Sequence, residues 1–168
     1  MKPLSTYYRL NSDNIISEVS DTWDRFACEN DGDPGAIQSS VLHKSIFDAI
    51  QGDETRLFVD ILLTHARTLQ KRLVRPYRCD TPLLRRYMAM ELVPEKDGHI
   101  LVQHHLLKFH NQQAPTITCQ PTAMKNLLKR CSICARIRVN DQWQEPSELA
   151  PPLTDITVFY GICPDCKS

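Results

Sequence analysis

Four cysteines stand in two C-x-x-C pairs, Cys131-Ser132-Ile133-Cys134 and Cys163-Pro164-Asp165-Cys166, with 28 residues between the pairs. A C-x-x-C turn aims both sulfurs at one point. Two such turns complete a tetrahedron around Zn²⁺ at Zn–S distances of about 2.3 Å. Soft thiolates favour zinc, with iron or an iron–sulfur cluster as competitors. All four positions are protein ligands, which leaves no place for a water, so the expected site is structural and closed rather than hydrolytic. The doubly negative tetrathiolate can be offset by Lys129, Arg130, Arg136, Arg138 and Lys167. A pair of redox-active C-x-x-C motifs is the alternative chemistry.

The compartment follows from what surrounds these thiols. No apolar run approaches the roughly 20 residues that span a bilayer. Met1-Lys2-Pro3-Leu4-Ser5-Thr6-Tyr7 lacks the apolar core and cleavage site of a signal peptide. A cytoplasmic location is therefore expected, where thiols stay reduced and seven cysteines point to metal or reactivity before disulfides. Cys28 and Cys79 are expected to be small buried hydrophobes, and Cys119 to be exposed and oxidisable.

Twenty basic residues balance twenty acidic ones, so the net charge gives no case for nucleic acid or an anionic membrane. The segment 71–86 holds Lys71, Arg72, Arg75, Arg78, Arg85 and Arg86 against Asp80. Without interleaved aromatics it reads as a solvated strand face before an anion site. No G-x-S-x-G elbow, Walker loop or H-E-x-x-H motif is present, and a non-enzymatic role is expected.

The elements that must position these residues fall into two regions. Tyr7–Leu10 and Ile15–Val19 are short apolar runs joined by the turn chemistry of Asn11-Ser12-Asp13-Asn14. Ser20 or Asp21 caps a short helix carrying Trp23, Phe26 and Ala27, and a loop follows at 30–35. Residues 41–50 read as a further helical segment with Phe47 and Ile50 inward. The longest helix begins near Asp53, with Phe58, Ile61, Leu62, His65, Leu69 and Leu73 as its apolar stripe and Lys71-Arg72 at its end. Three strands are predicted at 74–78, 85–93 and 99–109. Met88, Met90 and Leu92 share one face, and Ile100, Val102, His104 and Leu106 another.

Two strands, helices, then three strands make an α+β fold, which an antiparallel five-stranded sheet with flanking helices satisfies. Residues 111–121 read as a polar linker, and 122–130 as a short helix with Met124, Leu127 and Leu128 on its packing side. The remainder is Pro-rich and too small for an unaided core, so it needs a staple. The expected division is 1–111, 112–130 for the linker and short helix, and 131–168 for the zinc-stapled segment.

Residues Tyr8 to Trp23 resemble the opening hairpin and first helix of a PAS sensory domain. Val41-Leu42-His43-Lys44-Ser45-Ile46-Phe47-Asp48 is similar to that family's following helix, with His43 where glycine is usual. The tail, with Ile133-Cys134-Ala135-Arg136-Ile137-Arg138, Trp143 and Tyr160-Gly161-Ile162-Cys163-Pro164-Asp165-Cys166, resembles a cysteine-rich segment of bacterial signalling proteins. There the later motif usually opens with Ser-His, where this chain has Phe159-Tyr160.

The resemblance implies a PAS-like sheet used for sensing, a signalling partner and pairing as a homodimer. Trp23, Phe26, Phe47, Phe58, Met88, Met90 and His104 then line a ligand cavity of unknown occupant, or they simply fill the core. His65, like His104, is expected on an apolar face. Two other readings stay open. One is a zinc-ribbon nucleic-acid binder using Lys129, Arg130, Arg136 and Arg138 as a basic face; the other is a thiol redox sensor.

Overall fold

The computed structural model describes residues 5–29, 34–119, 127–149 and 154–168. The chain divides into two compact units, one of Met1–Ile50, Asp60–Arg75 and Ala89–Leu106, the other of Gln51–Val59, Pro76–Met88 and Leu107–Ser168.

β1 (Ser5–Leu10) and β2 (Ile16–Val19) form the predicted hairpin. Its turn is made by the Asn11 side chain, whose Oδ1 accepts from the backbone of Asp13 and Ile15 at 3.0 and 2.9 Å, and by Asn14 with φ of 63°. α1 (Trp23–Glu29) follows, with Ala27 buried. The segment read as one helix at 41–50 is broken. α2 covers only Gln38–Val41, and a separate 3-10 turn covers Ile46–Asp48. Between them His43 takes a φ of +62°, and this left-handed backbone is the physical reason glycine suits that place. Val41 and Ile46 are the buried residues of the segment, while Phe47 and Ile50 are half-buried.

α3 runs over Asp53–Leu69 and stops at Gln70, whose φ is +50° and whose amide donates to the Arg67 carbonyl at 2.6 Å. Leu73 therefore opens a strand instead of closing the helix. The buried face also differs from the expected stripe. Thr55, Leu63 and Ala66 are buried, whereas Ile61 and Leu69 are 45% and 54% exposed and His65 is exposed. Both rows have helical spacing, and the row containing short Thr55 and Ala66 allows the closer packing. Arg67, half-buried, donates to Asn11 O, Asn14 Oδ1 and Gly98 O at 3.0, 2.8 and 2.8 Å, and so ties two hairpin turns to the helix.

β3 (Leu73–Arg78), β4 (Leu84–Pro94) and β5 (Ile100–Asn111) complete a five-stranded sheet in the order β2-β1-β5-β4-β3. β1 lies antiparallel to both β2 and β5, and short hairpins join β3 to β4 and β4 to β5. This is the α+β, antiparallel five-stranded arrangement expected from the element order. Leu10, Leu92, Ile100 and Val102 are buried to 1% or less.

A second five-stranded sheet belongs to the tail, where none was predicted. Its strands are β6 (Thr116–Cys119), β7 (Leu128–Cys131), β8 (Ile137–Val139), β9 (Gln142–Gln144) and β10 (Asp155–Gly161), in the order β6-β10-β7-β8-β9. A four-residue helix, α4 (Pro164–Lys167), follows β10. Thus the polar stretch read as linker carries a strand, and residues 128–130, read as the end of a helix, are β-strand. The rest of that expected helix, including Met124, falls mostly outside the described residues. The helical spacing of Leu127 and Leu128 was overridden by a parallel ladder with β10, which pairs Val158 with Leu128 and Tyr160 with Arg130. Ile137, Leu149, Ile156 and Val158 give this sheet an apolar cluster of its own. Each such side chain contributes roughly 1.5–3 kcal/mol on burial.

Candidate metal centre

The two parallel strands decide where the cysteines meet. β10 pairs with β7 so that Gly161 lies opposite Cys131. Strands running the same way deliver their C-terminal ends to the same edge, and each of these ends leads into a C-x-x-C pair. A parallel connection needs a dozen residues or more, which accounts for the long interval between the pairs. The first turn closes by Ala135 N–H to Cys131 O at 3.0 Å and Cys131 N–H to Arg136 O at 2.9 Å. Ala135 stands where a left-handed residue is needed, with φ of 62°. The second turn is the start of α4, where Pro164 occupies the first helical position and Cys166 N–H reaches Cys163 O at 3.1 Å.

The four sulfurs all lie within 4.8 Å of one another, and Cys134 Sγ is 3.7 Å from Cys163 Sγ. A tetrahedron with Zn–S bonds of about 2.3 Å has sulfur–sulfur edges of about 3.8 Å, so the donor set fits a thiolate-loving ion. Cys131 and Cys163 are buried, while Cys134 and Cys166 are half-buried. Ile162 is buried with them, and Phe58, Ile133 and Trp143 pack around the cluster. The Cys131 thiol is held well below the usual thiol range, because the Cys134 thiol and the backbone N–H groups of Cys134, Cys163 and Ile133 donate to its sulfur against the cost of burial. The Cys163 N–H stands 3.4 Å from it. Burial raises Cys166.

Side chains that the sequence did not single out frame this centre. Glu54 on α3 pairs with Lys129 and Lys167 and accepts from Ile162 N–H at 3.2 Å. Thr55 Oγ1 lies 2.7 Å from Ser132 Oγ, inside the first C-x-x-C turn. Gly52 has a φ of +86°, and a Cβ there would stand 2.5 Å from the Tyr160 carbonyl oxygen. In the sequence Asp53-Glu54 is simply an acidic pair suited to a helix N-terminus, and nothing local signals its partners.

Most of the basic residues singled out in the sequence are engaged within the fold. Arg78, 9% exposed in its side chain, pairs with Asp80 and with Glu145 at 2.8 Å, and Arg85 and Arg136 reach Glu145 at 3.0 and 3.4 Å. Burial opposes the Arg78 charge, but the hydrogen bonds it donates to Asp80 and Glu145 outweigh it and raise its pKa. Arg72 pairs with Glu91, and Arg86 donates to Cys79 O at 2.8 Å. Of the four cations needed for a basic face, Lys129 is held by Glu54 and Arg136 by Glu145 and Asp165. Arg130 is buried and donates to Ala135 O, and Arg138 pairs with Asp141. The other thiols depart from expectation. Cys28 is exposed, and Cys119 is half-buried in β6 with its pKa raised by desolvation.

The residues expected around a ligand cavity are distributed. Tyr8 packs against Trp23 edge to face at 6.0 Å and against His104 at 5.6 Å, and Trp23 Nε1 donates to Ala36 O at 2.8 Å. Phe26, Phe47 and Met90 are half-buried in the same unit, and Met88 is buried in the other. Phe58 packs on the cysteine cluster. A surface cavity of about 140 Å³ is lined by Ile16, Val41, Lys44, Ser45, Asp48 and Ala49 among others, and none of the seven expected residues lines it.

Burial, with a smaller contribution from His105, pushes the His104 imidazole down to about 4. Between that value and the ordinary 6.5 the unfolded chain binds the proton and the folded one does not. Stability is therefore full above pH 6.5 and falls as the pH drops toward 4. The expected loss is about 2 kcal/mol by pH 4, discounted for the ring's partial exposure. Urea denaturation at a series of pH values checks it; His104→Leu should flatten the profile, and an unchanged profile would refute the assignment.

No protein-family model matches the sequence, and no curated protein matches it. Among solved structures, a sensory box sensor histidine kinase from Vibrio cholerae is similar at a TM-score of 0.45 and 9% identity, over 62% of this chain and 82% of that one. Among the described residues, no helix is long and apolar enough to cross a membrane.

Proposed function

We propose that the chain is a cytoplasmic signal-sensing protein of PAS type that acts through a partner, without catalysis, and carries a structural Zn²⁺ on Cys131, Cys134, Cys163 and Cys166. The convergence of four sulfurs within 4.8 Å carries the zinc reading. Four thiolates saturate a tetrahedral ion, so the metal supplies shape and no hydrolytic water. The sensory reading rests on the hairpin, helices and antiparallel sheet arriving in the order that the resemblance implied, with His43 adopting the backbone where glycine is usual. Engagement of Lys129, Arg130, Arg136 and Arg138 within the fold counts against the nucleic-acid reading.

Native mass spectrometry of the full chain tests the proposal. The expected result is one zinc per chain in a homodimer, with any retained small molecule marking the sensed ligand. A metal-free chain purified without chelator would sink the zinc reading, and a monomer at micromolar concentration the homodimer. Half-burial of Cys134 and Cys166 favours a second reading, a thiol redox sensor. Reversible zinc release by mild peroxide would support it.

A further inference from the structure

Three residues in the first two turns of α3, and the glycine just before it, touch the cysteine centre or the strand that leads into it. Glu54 accepts a hydrogen bond from the N–H of Ile162, the residue before Cys163, and pairs with Lys129, two residues before Cys131. Thr55 bonds Ser132, which lies between Cys131 and Cys134. Phe58 packs against the buried cluster of Cys131, Ile162 and Cys163. Gly52, just before the helix, approaches the Tyr160 carbonyl so closely that no side chain fits. These groups are 70 or more residues from their partners in sequence, and they bind both C-x-x-C turns, not one.

The partners on the tail are positioned only while the two turns are held together. Ser132 belongs to a turn whose ends are metal ligands, and Ile162 N–H is aimed by the strand end that leads into Cys163. Without an ion, four sulfurs this close include thiolates that repel one another, and the turns lose their common anchor.

We propose that metal binding latches residues 53–59 of α3 onto the cysteine centre, so that the order of this helical segment reports metal occupancy. The inference rests on the zinc reading above. Latch and metal are thermodynamically linked: whatever the docked segment adds to metal affinity, the metal adds to docking. α3 continues without interruption to Leu69, and a helix gains its stability cooperatively, so release of its first turns weakens the remainder.

Hydrogen exchange of the full chain, with zinc bound and after chelation, tests this, with metal content measured on the same samples. Amides of 53–59 should exchange about tenfold faster or more without metal, within the usual range of coupling between sites, while Ile137 and Val158 in the tail sheet change less. Glu54→Gln combined with Thr55→Val should weaken zinc binding by a comparable factor in a competition titration with a chromogenic chelator, although neither residue is a ligand. A chain that binds no zinc overturns the zinc reading. A chain that binds zinc with unchanged exchange at 53–59, or with equal acceleration throughout the tail sheet, overturns the latch alone. So does unaltered affinity in the double variant.

Discussion

Cys163→Ser should strip the protein of its metal and cost the tail more stability than any other single substitution. Cys163 is fully buried, its N–H faces the Cys131 sulfur, and Phe58, Ile133 and Trp143 pack around the cluster that contains it. A serine oxygen is a poor substitute for a thiolate toward a soft ion, and a structural tetrathiolate zinc contributes on the order of 10 kcal/mol of apparent binding energy, much of which is folding energy. The tail sheet owns an apolar cluster at Ile137, Leu149, Ile156 and Val158, so partial order should survive. The expected outcome is less than one tenth of the wild-type zinc content and a lowered denaturation midpoint. Cys166→Ser, at a half-buried position, should follow the same direction with a smaller loss. Equal zinc content in wild type and Cys163→Ser would refute the site.

Glu145→Ala should destabilise the protein by about 3 kcal/mol, the scale for removing one partner of a buried ion pair. Its carboxylate is shared by Arg78, Arg85 and Arg136, and Arg78 and Asp80 are 9% and 5% exposed in their side chains. Removal leaves Asp80 as the remaining carboxylate against Arg78, and leaves Arg85 with Gln112 and Ser147 and Arg136 with Asp165 as their other partners. Glu145→Gln, which keeps an acceptor oxygen and removes the charge, should lose less. Because the group is sheltered, the loss should persist in 1 M salt, where the screening length is about 3 Å. Chemical denaturation of the three proteins measures it; a change below about 1 kcal/mol, the value for exposed pairs, would show the network to be superficial.

How far each feature could be read from the sequence depends on the range of the forces that make it. The β1–β2 turn was legible because Asn11 and Asn14 act within five residues. The four cysteines were legible because a C-x-x-C turn is itself a local geometry. The face of α3 was misread because two rows of apolar residues satisfied the same periodicity, and only the packing environment chose Leu63 and Ala66 over Ile61 and Leu69. Residues 128–130 became strand because β10, thirty residues later, supplied ladder partners. The basic run at 71–86 reads as a solvated face, which holds for the exposed Lys71 and Arg72, whereas Arg78 and Arg85 face the remote Glu145.

The sequence by itself thus determined the identity and local pairing of the four sulfurs, the opening hairpin, and the α+β order of elements. Those properties are set by turn chemistry and periodicity within a few residues. That the two cysteine turns would share one site was expected from their spacing; the tertiary structure alone decided the means, the parallel pairing of β7 and β10 that brings them to one edge. It also decided that α3 grips that edge through Glu54, Thr55 and Phe58, and that Arg78 is buried among carboxylates. Hydrogen bonds and ion pairs between residues 60 or more positions apart leave no periodic trace in the chain. Their partners are chosen only when burial removes the competing water.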